Sequence, residues 1–210
     1  MDTTRRGFTL VEILVVVGII AVLVAIALPV LSRARGAARK AKCAGHMRQC
    51  GLAVEMYAGD YDDMLPMIRH NLDWQGPALT PWYEAIAPYT RNTDIYRCPD
   101  SPQHPEGIGP CCAVLTMCGL NGPNGLMRFG EPTRVFLFGD IGPDPGGTER
   151  YYTHRPARLC LAEPTTCQTP GDGHLAPRHN GGLNVGFLDG HVKWLKGERV
   201  LNDEALLWSP

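Results

Sequence analysis

Apolar and polar positions divide the chain into stretches of different rhythm. Phe8 to Leu31 (FTLVEILVVVGIIAVLVAIALPVL) is a run of 24 residues interrupted by one charge, Glu12. A helix rises about 1.5 Å per residue, so the run spans roughly 36 Å and exceeds a bilayer core of about 30 Å. A secretory signal has a shorter apolar stretch, about 7–15 residues, closed by a small-residue cleavage site. Leu28-Pro29-Val30-Leu31 offers no such site. Pro29 lacks an amide for the i−4 hydrogen bond, which predicts a bend or loosening there.

From Ser32 the period becomes helical and amphipathic. Cys43, Met47, Cys50, Val54 and Tyr57 recur at spacings of four and three, one stripe that predicts packing under a globular head. Arg39, Lys40, Lys42 and Arg48 fall largely off it, facing either anionic lipid headgroups or solvent. The helix is predicted to end near Gly59, ahead of Pro66. Past residue 65, short apolar runs are divided by Gly, Pro and Asn, with no repeat and no second long helix. Pro81–Tyr89 reads as a short helix and Val135–Phe138 as a strand ending in Gly139-Asp140. Asn184–Leu188 and His191–Leu195 flank Asp189-Gly190, the pattern of a hairpin with a two-residue turn. In one register of that hairpin Val185, Phe187, Val192 and Trp194 pack toward the helix. The predicted class is therefore α+β: a long N-terminal helix and a small, loop-rich antiparallel sheet.

Composition sharpens this outline. With 20% charged residues and a net charge of −1, the chain has no general attraction to nucleic acid. The average hides an asymmetry: Arg33–Arg48 carries six bases and no acid, Glu55–Asp63 four acids and no base. The 24 Gly and 18 Pro residues suit a head built on turns. Eight cysteines (Cys43, Cys50, Cys98, Cys111, Cys112, Cys118, Cys160 and Cys167) suit an oxidising compartment and predict disulfides. Cys43 and Cys50 stand about 10.5 Å apart along a helix and cannot bond to each other. Cys160 and Cys167 could close a local loop, and Cys98 could reach Cys43 or Cys50 if the head packs on the helix. A zinc site is the alternative, although no close CxxC pair occurs.

Two further groups carry metal-binding residue types. Asp60, Asp62 and Asp63 offer oxygen ligands of the kind calcium takes, but their spacing matches no defined calcium loop. His179, Asp189 and His191 offer the donors of a zinc or iron site. The alternative is a structural clasp between His179 and Asp189, with Asp189 a turn residue and His191 beside it. No activated serine or cysteine, phosphate loop or paired catalytic carboxylates are recognisable. The chain reads as a non-enzyme that needs no cofactor, calcium or zinc apart.

Arg5-Arg6-Gly7-Phe8-Thr9-Leu10-Val11-Glu12 resembles the leader junction of type IV prepilins and type II secretion pseudopilins. The resemblance covers about 35 residues. It implies cleavage between Gly7 and Phe8 by a prepilin peptidase and N-methylation of Phe8. It also implies a role for Glu12, whose carboxylate neutralises the Phe8 ammonium of a neighbouring subunit and so fixes the register of assembly. Pro29 stands where similar subunits carry a proline that kinks the helix. The implied organisation is a leader (1–7), a transmembrane half-helix (8–31), an amphipathic half-helix (32–59) and an α+β head with a C-terminal hairpin (60–210).

The implied partners are the bilayer, the prepilin peptidase, an inner-membrane assembly platform, and further copies of the chain or other pilin-like subunits. The implied location is the inner membrane, N-terminus cytoplasmic and head extracytoplasmic, and then a periplasmic or extracellular filament. Charge counting opposes that orientation, because more bases follow the apolar run than precede it; the cysteines favour it. His179-x9-Asp189-Gly190 followed by His191 resembles prepilin-like proteins with an H-x9-DG motif (DUF1559-like). Met56–Asp62, Arg97-Cys98-Pro99 and Arg178–Gly182 share that resemblance, while residues 100–175 carry little of it. The other reading of the same anchor is a membrane-tethered extracytoplasmic protein that binds a ligand or metal without polymerising.

Overall fold

The computed structural model describes residues 9–67, 82–101, 107–111, 114–115, 124–142, 160–161 and 174–202. Helix α1 covers Leu10–Asp60 and runs on through Pro29. It opens with a capping box. The Glu12 Oε2 accepts both the backbone N–H and the hydroxyl of Thr9 at 2.8 Å, while Thr9 Oγ1 accepts the Glu12 N–H at 3.3 Å. The helix ends at the aspartates. Asp62 and Asp63 adopt left-handed backbone, φ 51° and 61°, and the Asp63 N–H closes on Ala58 O at 2.9 Å. Asp60 accepts the Tyr89 hydroxyl at 2.7 Å. This acidic run is thus used to stop the helix, since aspartate tolerates left-handed backbone better than most residues.

The chain separates into two compact units, residues 1–38 and 39–210. In the first, every described side chain from Thr9 to Arg35 is exposed, and this is the one helix among the described residues long and apolar enough to cross a membrane. A contiguous aliphatic surface of that extent is unstable against water.

The second unit begins on α1 at Arg39 and contains helix α2 (Trp82–Thr90), helix α3 (Gly197–Asn202) and a sheet. Strands β1 (Ile108–Pro110), β2 (Phe136–Gly142), β5 (Gly182–Phe187) and β6 (Val192–Lys196) form its antiparallel part, in which β2 pairs with β1 and β5, and β5 with β6. Strand β4 (His174–Leu175) adds to β2, and β3 (Cys160–Leu161) runs parallel to β4. The architecture is α+β: a long apolar N-terminal helix and a small, mainly antiparallel sheet.

Cys43, Met47, Cys50 and Val54 are buried on one side of α1, together with Gly51, Ala53 and Ala58. The four stripe residues join Trp82, Phe136, Phe138, Leu183 and Val185 in a single core. Strands β2 and β5 are buried at every position, so both faces of the sheet centre are covered. Strand β2 does not stop at Gly139-Asp140 but runs through both, because the apolar Ile141 continues the strand into the pairing with β4.

The C-terminal hairpin forms with a different turn. Gly186 pairs with Val192 and Leu183 with Leu195, which leaves Leu188-Asp189-Gly190 as a three-residue loop. The Gly190 N–H donates to Phe187 O at 3.0 Å, and Gly190 takes φ +81°, the type I turn with a left-handed glycine bulge. One extra loop residue shifts the register by one and exchanges faces. Val185 and Phe187 therefore share a face with Lys193 and Leu195, whereas Val192 and Trp194 lie opposite with Asn184 and Gly186. That second face meets α1: Asn184 Nδ2 donates to Lys40 O, and the Lys40 ammonium sits 4.9 Å from the Trp194 ring centre. The two-residue turn is at Asn180-Gly181, with both residues at positive φ and His179 and Gly182 exchanging backbone hydrogen bonds.

Candidate functional site

Four segments far apart in sequence converge beneath α1. Cys43 lies on the buried stripe of the helix. Cys98 follows the 3-10 turn Thr93–Tyr96, and the Ser101 N–H fixes its carbonyl at 2.9 Å. Asp140 projects from β2 on the face that carries Phe138 and pairs with Ile108. His179 precedes the Asn180-Gly181 turn into β5, and its carbonyl accepts the Trp194 indole N–H at 2.9 Å. All four side chains are buried, and one ligating atom from each lies within 4.8 Å of the others.

The contacts inside the cluster are short. Cys43 Sγ is 3.0 Å from Asp140 Oδ1, and His179 Nε2 is 3.4 Å from both Cys98 Sγ and Asp140 Oδ2. A surrounding layer holds these groups in place. Asp100 Oδ2 takes the other imidazole nitrogen, Nδ1, at 2.8 Å, and the Arg39 guanidinium binds the remaining oxygen of Asp100. The Asn184 N–H donates to Asp140 Oδ2 at 2.7 Å. Arg178 donates to the carbonyl of Ile141, next to Asp140.

Proximity polarises the titrating groups. The hydrogen bond from Cys43 lowers the Cys98 thiol to about 5 against the opposing effect of burial, with His179 helping. The same hydrogen bond, burial and the Asp140 charge raise the Cys43 thiol. Burial works against an imidazolium at His179, but hydrogen bonds to Asp140 and Cys98 outweigh it and lift the ring to about 10. The shifts favour the deprotonated form of Cys98 and the protonated form of His179. Cys98, His179 and Asp100 stand in the order of nucleophile, base and orienting acid. Cys98 nevertheless has no exposed surface, so no substrate reaches its sulfur in this conformation.

His179 is not joined by Asp189 and His191. The latter two pair with each other in the exposed hairpin loop, Nδ1 to Oδ1 at 2.5 Å, with Phe187 stacked on the imidazole at 4.1 Å. They flank one end of β5 and His179 the other, a strand of six residues spanning about 20 Å. The expected trio is thus two separate features. Cys43, Cys50 and Cys98 are free thiols, so the crosslinks expected from the cysteine count are not formed there. Cys50 is buried within the core and Cys111 is buried as well. Cys112, Cys118 and Cys167, and the side chain of Cys160, lie outside the described residues, as do Gly7 and Phe8. Among the described residues the Cys43 group is the one that gathers three or more metal-ligating side chains, and the Asp60–Asp63 run does not.

Asp100 and Asp140 are the residues that sequence reasoning does not single out. Asp140 reads as the end of a strand because Gly139 precedes it, and its only signal is a charge inside the apolar run VFLFGDIG. Thr9-x-x-Glu12 is a legible capping-box pattern that the leader resemblance overshadows.

The long apolar helix and its N-terminal motif define a pilin-type subunit. Residues 2–28 match the prokaryotic N-terminal methylation motif, and residues 32–106 match a protein of unknown function, DUF1559. The two matches support a prepilin-like protein similar to the DUF1559 family over its N-terminal part. No curated protein and no solved structure is matched by it.

Proposed function

We propose that the chain is a structural subunit of a type IV pilus-like or type II secretion pseudopilus filament, cut after Gly7 by prepilin peptidase and methylated on Phe8. The supporting observation is the exposed apolar surface of α1, opened by a single carboxylate at Glu12. Such a surface needs lipid before assembly and neighbouring helices after it. Glu12 follows Phe8 by four positions, about 6 Å along a helix. The new ammonium of one subunit then meets the carboxylate of another at nearly the same depth. In a low-dielectric bundle the pair is favoured over two unpaired charges, and it sets the stagger between subunits.

The head is extracytoplasmic in this reading, and the assembly platform and peptidase act from the inner membrane. The tethered, non-polymerising alternative shares the anchor and differs only in self-association. Shearing separates the two. In cells with an active prepilin peptidase the chain is expected in the sheared filament fraction, and in cells lacking the peptidase it stays with the membrane. Membrane retention in both would favour the tether.

A further inference from the structure

We propose that Cys43, Cys98, Asp140 and His179 are the four ligands of one structural divalent metal ion of the zinc class, which ties the amphipathic half of α1 to the sheet. The donor set is two sulfurs, one imidazole nitrogen and one carboxylate oxygen, a combination that selects zinc over the hard cations calcium and magnesium. A tetrahedral zinc, with bonds near 2.3 Å to sulfur and 2.0–2.2 Å to nitrogen and oxygen, sets its ligand atoms roughly 3.3–3.8 Å apart. Here Cys98 Sγ and Asp140 Oδ2 each lie 3.4 Å from His179 Nε2, and Cys43 Sγ lies 3.0 Å from the other Asp140 oxygen. One ligand atom from each residue falls within 4.8 Å of the rest, so closing on an ion draws the set inward by up to about 1 Å.

The surrounding layer argues the same way. Metal-binding imidazoles almost always give their other nitrogen to a carboxylate, carbonyl or water. Asp100 does this at His179 Nδ1 and leaves Nε2 turned toward Cys98 and Asp140. Asp100 is held in turn by Arg39, and Asp140 by the Asn184 N–H. The imidazole and the carboxylate are therefore oriented before any ion arrives.

Two simpler readings fit less well. A Cys43–Cys98 disulfide would use the sulfurs alone and remove the thiol that contacts Asp140, leaving a buried carboxylate with one donor fewer. A hydrogen-bonded clasp without metal needs only His179 and one acceptor, and it makes no use of the convergence of both sulfurs with the carboxylate and the imidazole. On metal binding the two thiols and the His179 Nε2 give up to solvent whatever protons they carry, and the cation faces three anionic ligands and one neutral imidazole.

The test uses the full chain purified in detergent with its free-thiol state preserved. Elemental analysis is expected to find one zinc per chain in wild type and in the Cys50→Ser control, whose thiol is buried but outside the cluster. His179→Ala and Cys98→Ser are expected to lose it. Because a ligand variant can fail to fold, wild type is also exchanged with cobalt(II), for which thiolate charge-transfer absorption and tetrahedral ligand-field bands are expected. Three results would each overturn the site: no metal in folded wild type, cobalt without thiolate bands, or a Cys43–Cys98 disulfide in a non-reduced digest.

Discussion

Glu12 has a partner within its own chain, and the proposed filament gives it a second across a subunit boundary. Within the chain it completes the capping box with Thr9. Glutamine can fill that role too, because the N3 position accepts Glu or Gln, but glutamine carries no charge. Glu12→Gln should therefore keep the start of the helix and still lower incorporation into sheared filaments at least tenfold. Thr9→Ala should cost the helix end about 0.5–2 kcal/mol and leave incorporation near wild type. Quantitative blots of the sheared fraction compare them; equal incorporation of Glu12→Gln and wild type would remove the proposed role of the charge. Gly182 poses a steric question instead. A Cβ there would collide with the Trp194 ring and stand 2.5 Å from Leu195 O. Gly182→Ala is expected to destabilise the head by about 1–3 kcal/mol and to alter tryptophan fluorescence. An unchanged melting temperature in detergent would show that Trp194 moves freely.

At the scale of elements, the amphipathic half of α1 is held by its stripe. Met47 is buried against Gly186 of β5, whereas Met56 is more than half exposed. Met47→Ala should cost about 2–5 kcal/mol, and Met56→Ala should stay within about 0.5 kcal/mol, both read from thermal unfolding of the full chain. Similar losses at the two positions would mean that the stripe is not what docks the helix. The stripe itself is legible in the sequence because a helix repeats every 3.6 residues and only one side of it can face a core. The hairpin is legible in kind but not in register: Asp-Gly fits both a two-residue and a three-residue turn, and long-range packing on α1 decides between them. Asn180-Gly181, the stronger two-residue signal, is hard to read because no alternating run precedes it. Asp140 is hidden for a related reason. A glycine-aspartate pair has a local meaning, turn, which the pairing of β2 with β1, β4 and β5 overrides.

For the whole molecule, two unlike regions divide the chemistry. Residues 10–31 expose an aliphatic helix surface that is unstable against water, and described residues from Arg39 onward enclose a polar cluster within an apolar core. The first is readable from composition and motif alone, since hydrophobic length and a leader junction are local properties. The second is not, because its ligand atoms come from positions 43, 98, 140 and 179 and only the fold brings them together. The proposed filament assembly depends on the first region and, within it, on cleavage of the bond after Gly7. Mass spectrometry of the mature N-terminus, on chain recovered from cells with an active prepilin peptidase, tests it most directly. The predicted species is a chain that begins at a methylated Phe8; an intact Met1 would contradict it.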